Sequence, residues 1–185
     1  MKIIKQLHNS PYAFPLLALL ALVLLVISET SHHRAVDSLD QLGRMAAVRT
    51  DNLQLLRLMV DAETGQRGYL LTGREEYLEP YRAAITELRQ LMTGLQAYYR
   101  QDAAFEPVYQ ELSLQVDRKL SEMQASLSMF QQGNNDGALQ LLLTDIGREQ
   151  MESVREASRR LVQHEADKIT EQRAEVYKTL SLGRI

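Results

Sequence analysis

The sequence contains no cysteine, no tryptophan and only four prolines. Without cysteine there is no disulfide, no zinc–thiolate site and no cysteine nucleophile; the absence fits any compartment and so assigns none. Pro11, Pro15, Pro80 and Pro107 all avoid the interiors of the long polar–apolar stretches, as helices require. Basic charge is also short. The formal net charge is −3, and residues 1–28 hold Lys2 and Lys5 but no acid, which leaves 19 basic against 24 acidic residues in the remainder. That balance argues against a nucleic-acid binder, which needs a basic face. There is no strand-like alternation of useful length, no internal repeat, no Gly-rich phosphate loop after a strand and no nucleophile motif. What is abundant, Leu, Ala, Glu, Gln and Arg, favours helix. The expected class is all-α.

Pro11 to Ile27 is an unbroken apolar run of 17 residues. At about 1.5 Å per residue it spans about 25 Å, slightly under the ~30 Å hydrocarbon core, and interfacial Tyr12 with local thinning can absorb the difference. Lys2 and Lys5 precede it and Glu29 follows, so the positive flank is expected in the cytoplasm. A cleaved signal peptide is the alternative. The run is long for a signal core, however, and no A-x-A site follows it.

Beyond the run, turn signals fall at Thr72-Gly73, at Gln101-Asp102 ahead of Pro107, and at Gly133-Asn134-Asn135-Asp136-Gly137, with a further interruption at Asp145 to Gly147. They leave four long segments with helical spacing. In the second, Leu78, Tyr81, Ile85, Leu88, Met92, Leu95 and Tyr99 alternate steps of three and four, a bundle seam. The third carries Phe105, Val108, Leu112, Val116, Leu120, Met123, Leu127 and Phe130; the fourth carries Met151, Val154, Leu161, Ile169 and Val176. Short loops imply antiparallel neighbours. The expected architecture is an N-terminal transmembrane helix followed by an up-down four-helix bundle with long first and fourth helices. The shorter middle hairpin then places a four-helix head away from the membrane, above a two-helix stalk.

A three-four seam drawn along the first helix passes Leu39, Leu42, Ala46, Arg49, Leu53, Leu56 and Val60 and then meets Glu63 and Arg67. These two are four apart with the acid first, the better order for a helical ion pair. Gly65 and Gly68 stand beside them, each costing about 1 kcal/mol against Ala in a helix interior. Such a stretch points to close helix approach, a kink or a site. A polar pair that fixes bundle register is one reading. The other is a ligand or switch site in which Arg67 binds an anion through its forked donors, with Glu152 and Glu156 as counter-charges.

The run Asp61-Ala62-Glu63-Thr64-Gly65-Gln66-Arg67-Gly68-Tyr69-Leu70-Leu71-Thr72-Gly73, followed by Tyr77-Leu78-Glu79-Pro80-Tyr81, strongly resembles the signature of the type-three CHASE domains, the cyclase/histidine-kinase-associated sensory extracellular domains. The resemblance covers roughly Leu39 to Tyr177 and implies a helical input module of a bacterial receptor, set between two transmembrane helices and followed by a kinase, cyclase or chemotaxis-type output domain. It implies a homodimer and an unidentified small-molecule or protein ligand; no cofactor is expected. On this reading residues 1–10 are a cytoplasmic tail, 11–28 a transmembrane helix contacting the bilayer, and 29–180 an extracytoplasmic sensory domain. Residues 181–185 end near the expected second transmembrane helix, which this chain lacks. The residues singled out as a sensory or polar-hinge motif are Asp61, Glu63, Thr64, Gly65, Arg67, Gly68 and Tyr69.

His164-Glu165 is similar to a kinase phospho-acceptor pair, but Ala166-Asp167-Lys168 follows it instead of the kinase continuation. His32, His33 and Asp37 are too few to converge on a metal. The expectation is a sensory input module of the bacterial inner membrane and not an enzyme. A single-pass anchored partner-binding or scaffold protein is the alternative.

Overall fold

The computed structural model of the chain describes residues 13–182. The expected tail at 1–10, the first two residues of the expected span and residues 183–185 lie outside them. Among the described residues all regular structure is helical: α1 (Ala13–Thr72), a 3-10 turn (Glu75–Tyr77), α2 (Leu78–Tyr99), α3 (Glu106–Gln131), α4 (Asn135–Leu143) and α5 (Asp145–Leu182). The chain divides into two compact units, residues 1–43 with 172–185, and residues 44–171.

In the first unit the apolar side chains of α1 from Phe14 to Ile27 are exposed. Among the described residues no helix is long and apolar enough to cross a membrane. The described part of the expected span begins at Ala13.

The breaks in the second unit fall where turn chemistry places them. α1 stops at Thr72 because Gly73 takes a left-handed φ of 69° and donates its N–H to the Tyr69 carbonyl. Gly133, at φ 85°, ends α3 in the same way. Asp102 opens α3 by accepting the Phe105 N–H, and Pro107 occupies the first turn. The short α4 was not among the four expected segments. Asn134 caps it, accepting the Gly137 N–H at 3.0 Å, and an extended Thr144 ends it. The described residues therefore form five α-helices and a 3-10 turn.

The core of the second unit is drawn from all five α-helices. The α2 seam is as expected, with Leu78, Tyr81, Leu88, Leu95 and Tyr99 buried and Ile85 and Met92 half-buried. In α3, Leu112, Val116, Met123 and Leu127 are buried, joined by Tyr109. Met151, Val154 and Leu161 are buried in α5. In α1 the expected seam is wrong. The buried line runs Val48, Asn52, Leu55, Met59, Ala62, Gln66 and Tyr69, while Arg49, Leu53, Val60 and Arg67 are exposed. The spacing is still three-four, but a shift of one residue turns a helix by about 100° and presents another face. The true seam was hidden by its two amides.

Candidate functional site

The glycines of the Asp61–Gly73 segment form a corner where α1 meets the start of α2. A Cβ on buried Gly65 would lie 2.8 Å from the Tyr77 carbonyl oxygen and 3.1 Å from Tyr81 Cβ. On Gly68 it would strike the Tyr77 ring at Cδ1. The absent side chains thus admit a neighbouring backbone. Tyr69 is buried with its ring edge-on to Phe130, centroids 5.1 Å apart, which ties the corner to the end of α3. Thr64 is exposed, and so is Asp61, whose carboxylate is 3.8 Å from Arg57.

Glu63 and Arg67 do form the expected pair, at 2.8 Å, but they face different ways. Arg67 is half exposed, whereas the Glu63 side chain is only 14% exposed and also lies 3.4 Å from Lys119 Nζ. Lys119, 2% exposed, donates to Glu122 at 2.7 Å. Gly147 in the first turn of α5 closes this space, since a Cβ there would sit 3.0 Å from Lys119 Nζ. The result is a chain of alternating charge, Arg67–Glu63–Lys119–Glu122, that joins α1 to α3 beneath the start of α5. Arg67 therefore does not turn inward toward Glu152 and Glu156. Those acids are exposed and pair with Arg155 and Arg159 on their own helix. The inner cation is Lys119, which sequence reasoning missed because it expected an apolar residue at that level of α3.

Two further polar links cross the core. Buried Gln66 donates to the Ser126 hydroxyl at 2.6 Å. Buried Asn52 donates to the Tyr99 hydroxyl at 2.9 Å, and Ser158 donates to the Asn52 carbonyl at 3.3 Å. The side-chain oxygens of Asn52 and Gln66 accept no hydrogen bond. Burial raises the Tyr99 phenol well above its ordinary value and pushes Tyr109 up to about 12. The Tyr109 hydroxyl donates to the Met92 carbonyl at 2.6 Å.

A third cluster links α5 to the connection between α2 and α3. His164 stacks on Phe105, with centroids 3.4 Å apart, and its Nε2 is 2.8 Å from Asp102. Lys168 reaches the same Asp102 oxygen at 3.2 Å and also donates to the Tyr98 hydroxyl. Tyr98 in turn donates to fully buried Glu165 at 2.9 Å. His164-Glu165 is thus a packed structural pair. At the other histidines, His33 lies 3.2 Å from Glu29, and among the described residues no three metal-ligating side chains converge.

Partial burial pushes the Asp102 carboxyl up, but hydrogen bonds from His164 and Lys168, and their charge, outweigh it and hold the group below the usual carboxylate range. A depressed carboxyl stabilises the fold above its unfolded pKa of about 3.9, and that contribution is lost as pH falls through the lower folded value. Asp102→Asn should therefore lower the melting temperature most near neutral pH, and the gap to wild type should close as pH falls below the ordinary carboxylate range. Thermal unfolding of both proteins across that range checks the sign. Burial works against the charged form of Lys168, but the Tyr98 hydrogen bond, the Glu165 charge and the Asp102 hydrogen bond raise it overall. Its contribution is complete below about pH 10.4 and fades as pH rises through its folded value.

The residues described are an all-α module whose interior carries linked charges and amides. Residues 39–175 match the CHASE3 domain, and the chain belongs to that family, which places it among sensory input modules. Its fold is similar to that of the sensor domain of the histidine kinase HK9 from Rhodopseudomonas palustris, known from a crystal structure. The TM-score is 0.63 at 21% identity, with 68% of this chain and 98% of that domain covered. Comparison with curated proteins finds no match.

Proposed function

We propose that residues 29–180 are the extracytoplasmic input of a bacterial transmembrane signalling receptor, held at the inner membrane by the helix at 11–28. The observation that carries this reading is the charge chain Arg67–Glu63–Lys119–Glu122, which lies partly within the family signature and bridges α1 and α3. Ion pairs of this kind lose about as much to desolvation as they gain from attraction, so they specify one packing more than they stabilise it. Asn52 and Gln66 add two half-satisfied amides along the same face of α1. A core so built can hold two packings of similar free energy, and a stimulus that favours one shifts their populations. Helices α1 and α5 would then move relative to each other and pass the change to a kinase, cyclase or chemotaxis-type output. The exposed Leu, Val and Ile of α1 from Leu16 to Ile27 suit a bilayer. The role needs no catalysis and no cofactor; its stimulus is a small molecule or a protein, and its working form is a homodimer.

The test joins the chain through a second transmembrane helix to a histidine-kinase output and measures autophosphorylation in membranes. Glu63→Gln and Arg67→Ala should each shift basal output several-fold. Unchanged output in both variants, at unchanged thermal stability, overturns the reading.

A further inference from the structure

Between α2 and α3 runs a groove of about 1000 Å³ that is partly open to solvent. Its floor is formed by the outer edge of the core, with Ile85 and Met92 from α2 and Leu120 from α3. Polar rails flank it. One carries Arg82 and Arg89 on α2, and the other carries Asp117 on α3 among small hydroxyl residues. A site for a small molecule encloses most of its ligand, whereas this groove leaves one side to solvent. An apolar floor between polar edges suits helices laid against it.

The register of the hairpin decides which helices. The Tyr109 hydroxyl on the Met92 carbonyl and the stacking of Tyr109 on Tyr99 fix the antiparallel alignment of α2 and α3. In that alignment Arg89 and Asp117 stand within about one helical turn of the same height, on opposite rails. A two-fold axis laid along the groove, parallel to the helices, sets α2 of one copy over α3 of the other at unchanged height. Each basic rail then faces an acidic one. A closed two-fold contact of this sort uses the same patch on both copies. Its axis also keeps both N-termini pointing the same way, as two chains anchored in one membrane require.

We propose that the α2–α3 groove is the surface on which a second copy of this chain docks, with Arg89 opposite the partner's Asp117 in both directions across the axis. The inference deepens the receptor reading by giving its homodimer a face, and it rests on that reading for the shared membrane only. Its test needs no signalling output, so its failure is separable from failure of the sensory role.

The test measures the mass of the full chain in detergent micelles over a range of concentrations. Wild type should dimerise. Arg89→Asp sets an acid opposite the partner's Asp117 and Asp117→Arg sets a base opposite the partner's Arg89, so each variant alone should self-associate at least tenfold more weakly. An equimolar mixture should recover a dimer of one of each, because every rail then meets its opposite. Ion pairing within one copy cannot produce that recovery, and neither can misfolding. The proposal is overturned by a wild type that stays monomeric, by single variants that dimerise like wild type, or by a mixture that fails to recover. Saturable binding of an amphipathic anion such as dodecanoate to a monomeric wild type would instead identify a ligand groove and would equally overturn it.

Discussion

Lys119→Met is expected to destabilise the domain by about 3–5 kcal/mol, among the largest effects of any single substitution here. The side chain is 2% exposed and lies between Glu122 at 2.7 Å and Glu63 at 3.4 Å. Methionine fills nearly the same volume, so the packing loss is small. What is lost is the positive charge. Two carboxylates then share a largely dry space, with only Arg67, at the solvent edge, on the outer side of Glu63. Removing one partner of a buried pair leaves the other uncompensated, and that is far costlier than removing the whole set. Lys119→Met combined with Glu122→Gln should therefore recover a large part of the loss, and adding Glu63→Gln should recover more. Urea unfolding of the series measures this directly. If the single Met variant costs under about 1 kcal/mol, the ion pairs are solvated and the charge chain has no energetic weight.

The same cluster shows what the sequence could and could not disclose. The α2 and α3 seams were legible because their buried residues are mostly Leu, Met, Tyr and Val at three-four spacing. The breaks were legible because glycine and asparagine mark them chemically. The α1 seam was misplaced by one residue because Leu53, Leu56 and Val60 drew the line, although Arg49, Glu63 and Arg67 lie on it; the buried line carries the uncharged amides Asn52 and Gln66 instead. Those amides are tolerated because Tyr99 and Ser126 accept their protons from other helices, a fact of tertiary structure with no local signature. The Glu63–Arg67 pair was found from its spacing alone. That Glu63 turns in and Arg67 out follows from Lys119, some fifty residues away in sequence. Family resemblance located the segment, but only packing shows which of its residues face one another.

Gly65→Ala is the second large effect, and it separates the two signature glycines. Alanine favours a helix interior over glycine by about 1 kcal/mol, so on propensity alone both Gly65→Ala and Gly68→Ala would stabilise α1. Packing reverses the sign at Gly65. Its new Cβ would meet the Tyr77 carbonyl oxygen at 2.8 Å and the Tyr81 backbone nitrogen at 3.1 Å, and neither can rotate away. The 3-10 turn and the first turn of α2 must shift as a body, a strain of about 1–3 kcal/mol. The net change at Gly65 should be a loss of up to about 2 kcal/mol by urea unfolding, rising with Gly65→Val as the side chain grows. At Gly68 the obstacle is the Tyr77 ring, a side chain that can swing toward solvent. Gly68→Ala should therefore cost little, and less still in a Tyr77→Ala background. If the two alanine variants are equally stable, the corner is not set by backbone contact at Gly65. If Gly65→Ala alone is destabilising, Gly65 keeps space for the backbone of Tyr77 and Tyr81, and that approach sets the α1–α2 corner.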